Sequence, residues 1–341
     1  MTTRVLITGG AGFIGSHLAE ALLAHGQMAV AVDNLSTGRI ENIAGLMNHP
    51  SFQFIHETIL NETVMDRLAS ECDTIYHLAA VVGVELIVQD PIHTIETNLR
   101  GTEMMLRLAR RYGKKILIAS TSEVYGKSDE IPFREDADRV MGPTTKSRWC
   151  YAESKAIDEF LALAYHKQFG VPVIICRFFN TVGPRQTGMY GMVIPRLVQQ
   201  ALAGQPLTVY GDGQQSRCFC NVQDTVRAIL TLAAEPRAVG EIFNIGSHEE
   251  ITILDLARRV LARSGSRSEI KLIPYDQAYE AGFEDMRRRV PCLDKLAQLT
   301  GFRPSTPLSQ IVDQVVLHAQ EGRELMAPCR GTGAASGLAG S

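Results

Sequence analysis

The feature that most constrains the fold is a regular alternation of short apolar segments with segments of helical periodicity. Six apolar segments lie between positions 4 and 178, and they read RVLIT, MAVAVD, FQFIH, TIYHLAA, KILIAS and VPVIICRF. Nearly continuous apolar character indicates strands that are buried on both faces, with helices between them. The sequence therefore predicts an α/β fold with a doubly wound parallel sheet.

The character of the chain changes after Asn180. Loops rich in glycine and proline appear there, between shorter helical segments near 193–203, 222–234 and 253–264. We predict a sheet domain over 1–180, with some return segments from 220–246, followed by a smaller C-terminal substrate-binding region over 181–325. The Gly/Ala-rich stretch that follows, with almost no charge, predicts a flexible tail over 326–341.

Composition excludes several classes of protein. The chain has 341 residues, a formal net charge of -3 and 21% charged residues, which is typical of a globular protein and gives no electrostatic reason to expect a nucleic-acid or membrane partner. Seven cysteines without a pairing framework favour a reducing compartment, so we expect a cytoplasmic protein. Cys218 and Cys220 flank one residue, but no second Cys or His pair lies at ligand spacing, so packing in a strand is favoured and no metal is expected.

A glycine-rich turn follows the first apolar segment. Gly10-x-Gly12-x-x-Gly15 lies between RVLIT and a helix-period segment, which is the context of a Rossmann dinucleotide site. Glycines there allow a tight turn and let backbone N–H groups approach a pyrophosphate at the helix N-terminus. An ordinary glycine turn is the alternative.

The acidic residue after the second strand specifies the dinucleotide. Asp33 closes MAVAVD about 20 positions after the glycines, where a carboxylate accepts hydrogen bonds from ribose hydroxyls and repels a 2′-phosphate. NAD is therefore predicted in preference to NADP, with Arg39 nearby as the contrary signal.

Tyr151 and Lys155 form the candidate proton-transfer pair. They lie four positions apart, so on a helix their side chains share a face. A nearby ammonium and a bound, positively charged nicotinamide would favour phenolate and lower the pKa of Tyr151. A surface Tyr/Lys pair is the alternative.

Together these motifs resemble the extended short-chain dehydrogenases that act on nucleotide sugars. Within them the chain is most similar to the UDP-glucuronate decarboxylases, over about residues 3–320. The resemblance implies an NAD cofactor and a UDP-sugar substrate. The residues that it places along the cofactor are Gly9, Gly12, Phe13, Ile14, Gly15, Asp33, Asn34, Gly38, Thr58, Ile59, Leu78, Ala79, Ala80, Asn98, Tyr151 and Lys155. Glu57-Thr58-Ile59 departs from the family pattern, which has an aspartate against the adenine.

The triplet Thr121-Ser122-Glu123 separates reaction types within the resemblance. Thr121 matches the hydroxyl that orients the sugar beside the tyrosine. Dehydrating relatives have Asp-Glu where this chain has Ser122 and Glu123, and a serine hydroxyl is a far weaker acid toward a leaving oxygen. The triplet T-S-E is that of the decarboxylases, in which Glu123 would handle the proton or the ring. A solvated carboxylate or a helix cap is the alternative for Glu123.

A decarboxylase also needs a cation near the sugar carboxylate. Arg287, Arg288 and Arg289 are candidates, and Arg289 best matches the family Arg-x-Pro motif, although Cys292 stands where relatives have aspartate. A solvated basic turn is the alternative.

The resemblance also implies a nucleotide site in the second half. The run from Arg177 to Arg185 resembles R-x-F-N-x-x-G-P-R, although Arg177 could instead pair with a structural carboxylate. The residues that the resemblance assigns to the substrate are Val82, Glu123, Asn180, Arg185, Val193, Arg196, Thr208, Tyr210, Arg217 and Arg289.

The function implied is NAD-dependent decarboxylation of UDP-glucuronate, through a UDP-4-keto-hexuronate, to UDP-xylose or its 4-keto precursor. The alternatives are 4-epimerisation of UDP-glucose or UDP-glucuronate, nucleotide-sugar dehydration, and a non-catalytic NAD-binding module. Family analogy implies a homodimer formed through helices around 98–112 and 151–169, where Leu161 and Leu163 are either outward or core positions.

Overall fold

A computed structural model of the chain describes residues 2–83, 90–188, 192–278 and 286–326. The strands are β1 (Arg4–Thr8), β2 (Met28–Asp33), β3 (Phe52–His56), β4 (Thr74–His77), β5 (Lys115–Thr121), β6 (Val173–Phe178), β7 (Thr181–Val182), β8 (Leu207–Tyr210), β9 (Ser216–Cys218), β10 (Cys220–Asn221), β11 (Glu241–Ile245), β12 (Glu250–Thr252), β13 (Ile270–Ile273) and β14 (Arg288–Arg289). The α-helices are α1 (Phe13–Ala24), α2 (Glu62–Glu71), α3 (Pro91–Tyr112), α4 (Trp149–Phe169), α5 (Val193–Leu202), α6 (Val222–Ala234), α7 (Ile253–Ser264), α8 (Tyr275–Ala278), α9 (Asp294–Thr300) and α10 (Leu308–Met326).

Seven parallel strands form the central sheet, in the order β11-β6-β5-β4-β1-β2-β3. All six predicted apolar segments are strands of this sheet, so the predicted doubly wound fold is confirmed. Val5 and Ile7 on β1 face a core with α1 and α6, whereas Leu6 faces a second core with α2, α3 and α4. Burial on both faces is what the uninterrupted apolar character of the strands predicted.

Local signals define the two longest helices of the second core. α3 begins at Pro91, with the side chain of Asp90 accepting a hydrogen bond from the His93 N–H. It ends at Gly113 in the left-handed conformation, and α4 ends in the same way at Gly170. α3 and α4 pack against each other along one face of the sheet.

The second half of the chain forms a smaller lobe with its own core. Helices α5, α7 and α10 contribute Leu197, Leu256 and Ile311 to this core. β11, within the segment 220–246, extends the main sheet by pairing with β6, and α6 packs against α1. Of the proposed tail 326–341, all residues after Met326 lie outside the described part of the chain.

The order of the sheet reverses beside β1. The chain runs outward through β2 and β3 and then returns to place β4 on the other side of β1. Such a reversal opens a crevice at the carboxyl ends of the strands, and ligands of doubly wound proteins bind there.

Across the described ranges, no helix has the combination of length and apolarity that spanning a membrane requires.

Candidate active site

Two connected cavities lie above the carboxyl ends of the strands. The dinucleotide cavity, of about 350 Å³, adjoins the glycine turn, and the arginine cavity, of about 280 Å³, lies between the sheet and the smaller lobe. Thr121 at the end of β5 and Tyr151 in the first turn of α4 line both cavities. Ligands in the two cavities can therefore approach each other beside these two side chains.

The glycine turn has no space for side chains. Gly9 has a φ of +70°, and a Cβ on Gly15 would lie 2.1 Å from the carbonyl oxygen of Gly9. A Cβ on Gly12 would lie 3.0 Å from the same oxygen. This close backbone packing before the N-terminus of α1 fits the pyrophosphate of a dinucleotide.

Asp33 lies at the far end of the same cavity. Its carboxylate accepts hydrogen bonds from the Ala11 N–H at 3.1 Å and the Leu35 N–H at 2.8 Å. Burial raises the pKa of Asp33, and the hydrogen bonds from Leu35, Ala11 and Gly12 lower it. A Cβ on Gly38 would lie 2.7 Å from both carboxylate oxygens, so Gly38 leaves the space that Asp33 occupies.

The sequence-predicted cofactor residues divide into lining and supporting positions. Those that line the dinucleotide cavity are Gly9, Gly12, Phe13, Ile14, Gly15, Asp33, Asn34, Thr58, Ile59, Leu78, Ala79, Ala80 and Tyr151. Gly38, Asn98 and Lys155 are not among the lining residues. Asn98 supports the wall instead, because its side-chain oxygen accepts from the Val81 N–H at 2.9 Å and its amide donates to Ser154 at 3.3 Å.

Tyr151 is buried beside Thr121, with which its side chain forms a hydrogen bond. Burial and the negative charge of Glu123 raise the pKa of the phenol above its ordinary value, whereas the bond to Thr121 lowers it. The surroundings of the phenol include two carboxylates, Glu123 and Asp158, that the four-residue spacing could not reveal. The lowering of this pKa beside a bound, positively charged nicotinamide stays a prediction.

Lys155 is buried one helical turn beyond Tyr151. Its ammonium donates to Asp158 Oδ2 at 2.7 Å, and the two side chains are 3% and 0% exposed. A surface Tyr/Lys pair is excluded by this burial. The positive charge of Lys155 is opposed inside the protein by the carboxylate of Asp158.

Glu123 is held between two arginines in the arginine cavity. Its carboxylate lies 2.7 Å from Arg289 Nη1 and 3.3 Å from Arg148 Nη2. Burial raises the pKa of Glu123, but the charges of Arg148, Arg289 and Arg217 together lower it to about 2. Glu123 is therefore an ionised, partly buried carboxylate held by arginines and not a solvated side chain.

Thr121 and Ser122 begin the 3-10 turn Ser122–Tyr125 that positions Glu123. The hydroxyl of Thr121 accepts a hydrogen bond from the Glu123 N–H at 3.2 Å. Ser122 is buried and lines the arginine cavity next to Glu123. The turn thus places three consecutive side chains within one wall of the site.

Most of the sequence-predicted substrate residues line the arginine cavity. They are Val82, Glu123, Asn180, Val193, Arg196, Tyr210, Arg217 and Arg289. Arg185 and Thr208 are not among the lining residues of this cavity, and their assignment to the substrate stays a prediction. Arg185 lines the dinucleotide cavity and pairs with Glu20 at 3.0 Å, and Thr208 lies beneath Arg196, where its carbonyl accepts from Arg196 Nη1 at 2.9 Å.

The inner end of the arginine cavity presents polar groups to its interior. The guanidinium of Arg196 lies 4.4 Å from the ring centre of Tyr210, and Tyr275 and Gln215 complete the wall. In the described part of the chain, the Arg196 Nε and the Gln215 Oε1 are buried without a hydrogen-bond partner. Buried polar atoms of this kind are rare unless a ligand or water satisfies them, so this end fits a flat, polar group such as a nucleobase.

Arg177 is outside both cavities. Its guanidinium donates to both carboxylate oxygens of Glu159, at 2.9 and 2.7 Å, and to the Tyr125 hydroxyl at 2.8 Å. The structural alternative for Arg177 is therefore the correct one.

Cys218 and Cys220 are buried in short strands, where burial raises their pKa to about 12. Over the described ranges, no group of three or more His, Cys, Asp or Glu side chains is arranged to hold a metal.

Comparison with known proteins adds the family to this geometry. Residues 6–315 match the family model described as GDP-mannose 4,6 dehydratase. The chain belongs to this family of extended short-chain dehydrogenases. The resemblance inferred from the glycine turn, the Tyr/Lys pair and the T-S-E triplet is thereby confirmed.

The curated relatives of this family member include decarboxylases. It is 42% identical to the UDP-N-acetyl-alpha-D-glucosaminuronate decarboxylase of Bacillus cytotoxicus, covering 93% of this chain and 97% of that protein. It is 39% identical to UDP-glucuronic acid decarboxylase 1 of Danio rerio, covering 92% and 72%. Among solved structures, the UDP-glucuronic acid 4-epimerase of Bacillus cereus, in complex with UDP-glucuronic acid and NAD, superposes with a TM-score of 0.85 at 30% identity, covering 94% and 99%.

Arg148 is the main site residue that sequence reasoning missed. It precedes α4 by one position, three residues before Tyr151, and is buried against Glu123. The signal was a basic residue immediately before the catalytic helix. The sequence alone could not show what this residue contacts, because only the tertiary structure brings Arg148 and Arg289, 141 positions apart, to one carboxylate.

Proposed function

We propose that this chain is an NAD-dependent decarboxylase of UDP-glucuronate, which forms UDP-xylose or its 4-keto precursor through a UDP-4-keto-hexuronate. The observation that carries the proposal is the cluster of Arg148, Arg217 and Arg289 around a single carboxylate, Glu123, beside Tyr151. Among the described residues, three guanidinium groups therefore lie around this carboxylate, next to the catalytic tyrosine. A sugar carboxylate would be attracted to such a site.

The chemistry begins at the C4 hydroxyl of the sugar. When bound, NAD supplies the acceptor for the C4 hydride and later returns it. Tyr151, as phenolate, takes the proton of that hydroxyl, and Thr121 holds the same oxygen in place. The resulting C4 ketone is beta to the C6 carboxylate, so the electrons of the breaking C5–C6 bond can move into the carbonyl as an enolate while carbon dioxide leaves.

Glu123 has a positioning role in this scheme. A carboxyl group with a pKa of about 2 holds no proton at neutral pH, so Glu123 is a poor candidate for the acid that reprotonates C5. Its negative charge instead orients Arg148 and Arg289 toward the cavity. The arginines bind the substrate carboxylate, and the enolate oxygen remains beside Tyr151 and Thr121, whose hydroxyl groups stabilise it.

The cofactor proposal is supported by the dinucleotide cavity. The glycine turn fits a pyrophosphate, and the ionised Asp33 fits two ribose hydroxyls but not a 2′-phosphate. We therefore propose NAD in preference to NADP. Isothermal titration with each dinucleotide tests this choice, and tighter binding of NADP would overturn it.

Incubation of the purified protein with NAD and UDP-glucuronate labelled with carbon-13 at C6 tests the proposed reaction. We expect labelled carbon dioxide, together with UDP-xylose or its 4-keto precursor in the NMR spectrum. UDP-galacturonate without gas would instead establish 4-epimerisation, the activity named for the Bacillus cereus structure. UDP-glucose is the matched control because it has no carboxylate and cannot release carbon dioxide by this route.

A second substrate is favoured by a specific relative. The Bacillus cytotoxicus protein is named for a sugar with an N-acetyl group. UDP-N-acetylglucosaminuronate should therefore be compared with UDP-glucuronate in the same assay. A higher kcat/KM for the N-acetyl sugar would change the substrate and leave the decarboxylation chemistry in place.

We also propose that the protein is a homodimer formed through α3 and α4. Ile157 and Phe160 on α4 are 48% and 67% exposed, and Ile92 on α3 is 71% exposed, so one surface presents several apolar side chains. Leu161 and Leu163 pack against the core instead, which settles their alternative in favour of core positions. Light scattering on a sizing column should give a dimer that Phe160→Glu dissociates. Leu317→Glu, at an exposed apolar position on α10, is the control that should leave the mass unchanged.

A cytoplasmic location is proposed from the cysteines. Of the six described cysteines, none is in a disulfide, and Cys72, Cys176, Cys218 and Cys220 are buried. Free buried thiols are typical of proteins from reducing compartments. Fluorescence microscopy of the tagged full-length protein tests the location, and a signal confined to the cell envelope would contradict it.

A further inference from the structure

A buried ion pair lies behind the proton-transfer residues. Lys155 Nζ donates to Asp158 Oδ2 at 2.7 Å, and both side chains are almost completely removed from solvent. Removing a carboxylate from solvent costs free energy unless a positive charge is paired with it. Burial accordingly raises the pKa of Asp158, and the interactions with Lys155 and Thr102 lower it. The pair therefore depends on both partners, and Asp158 fixes where the ammonium of Lys155 lies.

Asp158 also belongs to a polar layer that reaches the wall of the dinucleotide cavity. The side chain of Thr102 forms a hydrogen bond with Asp158, and its hydroxyl oxygen lies 3.3 Å from the Nε2 of His77. The other ring nitrogen of His77 lies 2.8 Å from the Thr8 hydroxyl, which accepts from the Ala79 N–H at 3.2 Å. Burial and the charge of Lys155 lower the pKa of His77 to about 3, so the ring is neutral and adds no charge to the layer.

We propose that Asp158 is a positioning residue of the reaction centre: it holds the ammonium of Lys155 in place and, by opposing its charge, sets the pH at which Tyr151 can act as a base. This inference rests on the proposed function for the roles of Tyr151 and Lys155. It adds a residue that neither the sequence motifs nor the comparisons assign. Asp158 acts through Lys155 and does not itself reach the substrate.

The direction of the effect follows from the charges around Tyr151. The charged and titratable groups that surround this centre are Lys155, Asp158 and Glu159 on α4, Glu123 with its partners Arg148 and Arg289, Arg177 on β6 and His77 on β4. Glu159 is paired with Arg177, and Glu123 is paired with two arginines, so each of these carboxylates lies against a guanidinium group and not against Lys155. Asp158 faces Lys155 alone among the described ion pairs, and its removal leaves the ammonium unopposed beside the phenol.

The test is a titration of Tyr151 in the chain with Asp158→Asn. Carbon-13 placed at Cζ of the tyrosines gives an NMR signal that Tyr151→Phe identifies, and the signal moves when the phenol ionises. Loss of the opposing charge should lower the pKa of Tyr151 by about one pH unit relative to the unsubstituted chain. Admission of water to a disrupted site would also lower this pKa, because burial is the largest cause that raises it. A variant that keeps the negative charge at position 158 is therefore needed to separate the two effects.

Two further variants make the outcome specific. Asp158→Glu keeps the charge and should return the titration to within a few tenths of a pH unit of the original. Glu153→Gln removes an exposed carboxylate of the same helix, which pairs with Arg139, and should leave the titration unchanged because solvent screens that charge. If Asp158→Asn does not fold, as judged by its thermal melting, Asp158→Ser removes the same charge and leaves room for water.

The pH dependence of turnover supplies the second readout. The acid limb of kcat/KM should move to lower pH in Asp158→Asn by the same interval as the NMR titration. An unchanged or raised pKa of Tyr151 in this variant would overturn the proposal. The NMR titration requires no turnover, so a failure of UDP-glucuronate as substrate and a failure of the role of Asp158 give different results.

Discussion

The dinucleotide cavity and the arginine cavity meet at Tyr151 and Thr121, but they are built in different ways. The first includes one contiguous turn, Gly9 to Gly15, and Asp33, which accepts hydrogen bonds from the backbone beside that turn. The second is formed by side chains from distant segments, such as Arg148, Arg217 and Arg289, which meet at Glu123. Backbone shape therefore governs one side of the active site, and charge governs the other.

This difference separates what each cavity can tolerate. A turn whose atoms are in van der Waals contact fails when volume is added, because the backbone itself has to move. A charge cluster fails when one partner is removed, because the remaining buried charges are no longer balanced. Substitutions on the two sides should consequently affect binding of the dinucleotide and binding of the sugar carboxylate separately.

The largest effect is expected where the two cavities meet. Tyr151→Phe removes the proton acceptor from both halves of the reaction, and we expect kcat for carbon dioxide release to fall by about a thousandfold. Stopped-flow absorbance of NADH measures the first half separately. Dissociation constants for NAD and UDP should stay within about twofold of the original, since a single hydroxyl is lost. Unchanged turnover would remove Tyr151 from its catalytic role.

On the charged side, Glu123→Gln should reduce stability in a pH-dependent way. The folded-state pKa of about 2 lies below the ordinary 4.5, so the stabilisation is present above pH 4.5 and is lost as the pH falls toward 2. This lowering corresponds to about 3 kcal/mol at neutral pH. Urea unfolding of both proteins between pH 7 and pH 2.5 measures it.

The control for this prediction is Glu153→Gln. Glu153 also pairs with an arginine, Arg139, but its side chain is 43% exposed. We expect a change of less than about 1 kcal/mol for such a surface pair. A stability difference for Glu123→Gln that stays constant down to pH 2.5 would contradict the proposed stabilisation of ionised Glu123 by Arg148 and Arg289.

Arg289→Met should weaken recognition of the sugar carboxylate. Loss of one charge-assisted hydrogen bond corresponds to about 2 kcal/mol, so KM for UDP-glucuronate should rise roughly 30-fold. Affinity for UDP alone should change little, because UDP has no sugar carboxylate. Arg288→Met is the matched control, since the neighbouring Arg288 is 54% exposed and pairs with Glu250. Equal effects of the two substitutions would argue that Arg289 acts only through the fold.

In the dinucleotide cavity, Gly15→Ala should weaken the binding of NAD at least about tenfold, which corresponds to about 1.4 kcal/mol of binding free energy. The added Cβ would lie 2.1 Å from the Gly9 carbonyl oxygen, which forces the turn away from the pyrophosphate. Calorimetric titration with NAD measures the change, and UDP affinity should be retained. Gly45→Ala, where a Cβ meets nothing within 4 Å, is the control. Normal NAD binding by Gly15→Ala would show that the turn is less closely packed than described.

The fold and the dinucleotide cavity could largely be predicted from the sequence, whereas the arginine cavity could be predicted only in part. The six apolar segments, the glycine turn and Asp33 are local patterns with strict geometric requirements. Arg196, Tyr210, Arg217 and Arg289 were placed on the substrate side by resemblance, and they line that cavity. The sequence could not show that Arg185 lines the other cavity or that Thr208 lies behind Arg196, because both positions depend on packing between segments far apart in sequence.

The pKa of Tyr151 shows the same limit. The motif predicts a downward shift from the ammonium of Lys155 and a bound nicotinamide, but it does not reveal that burial and the charge of Glu123 raise the pKa in the chain by itself. The carboxylate of Asp158, three residues after Lys155, was visible in the sequence without any sign that it would turn inward. A pKa depends on all charges within several ångströms, and a motif contains only those that are near in sequence.

The sequence by itself determined the parallel sheet, the position of the crevice, the dinucleotide turn and the reaction class suggested by Thr121, Glu123, Tyr151 and Lys155. The sheet, the crevice and the turn follow from residues that are close together in the chain and obey local rules of periodicity and backbone shape, whereas the reaction class followed from the resemblance to the decarboxylases. Only the tertiary structure decided that Arg148 shares Glu123 with Arg289 and that Asp158 opposes Lys155. The physical reason is that electrostatic interactions depend on distance in space and on burial, and both are set when distant segments pack together.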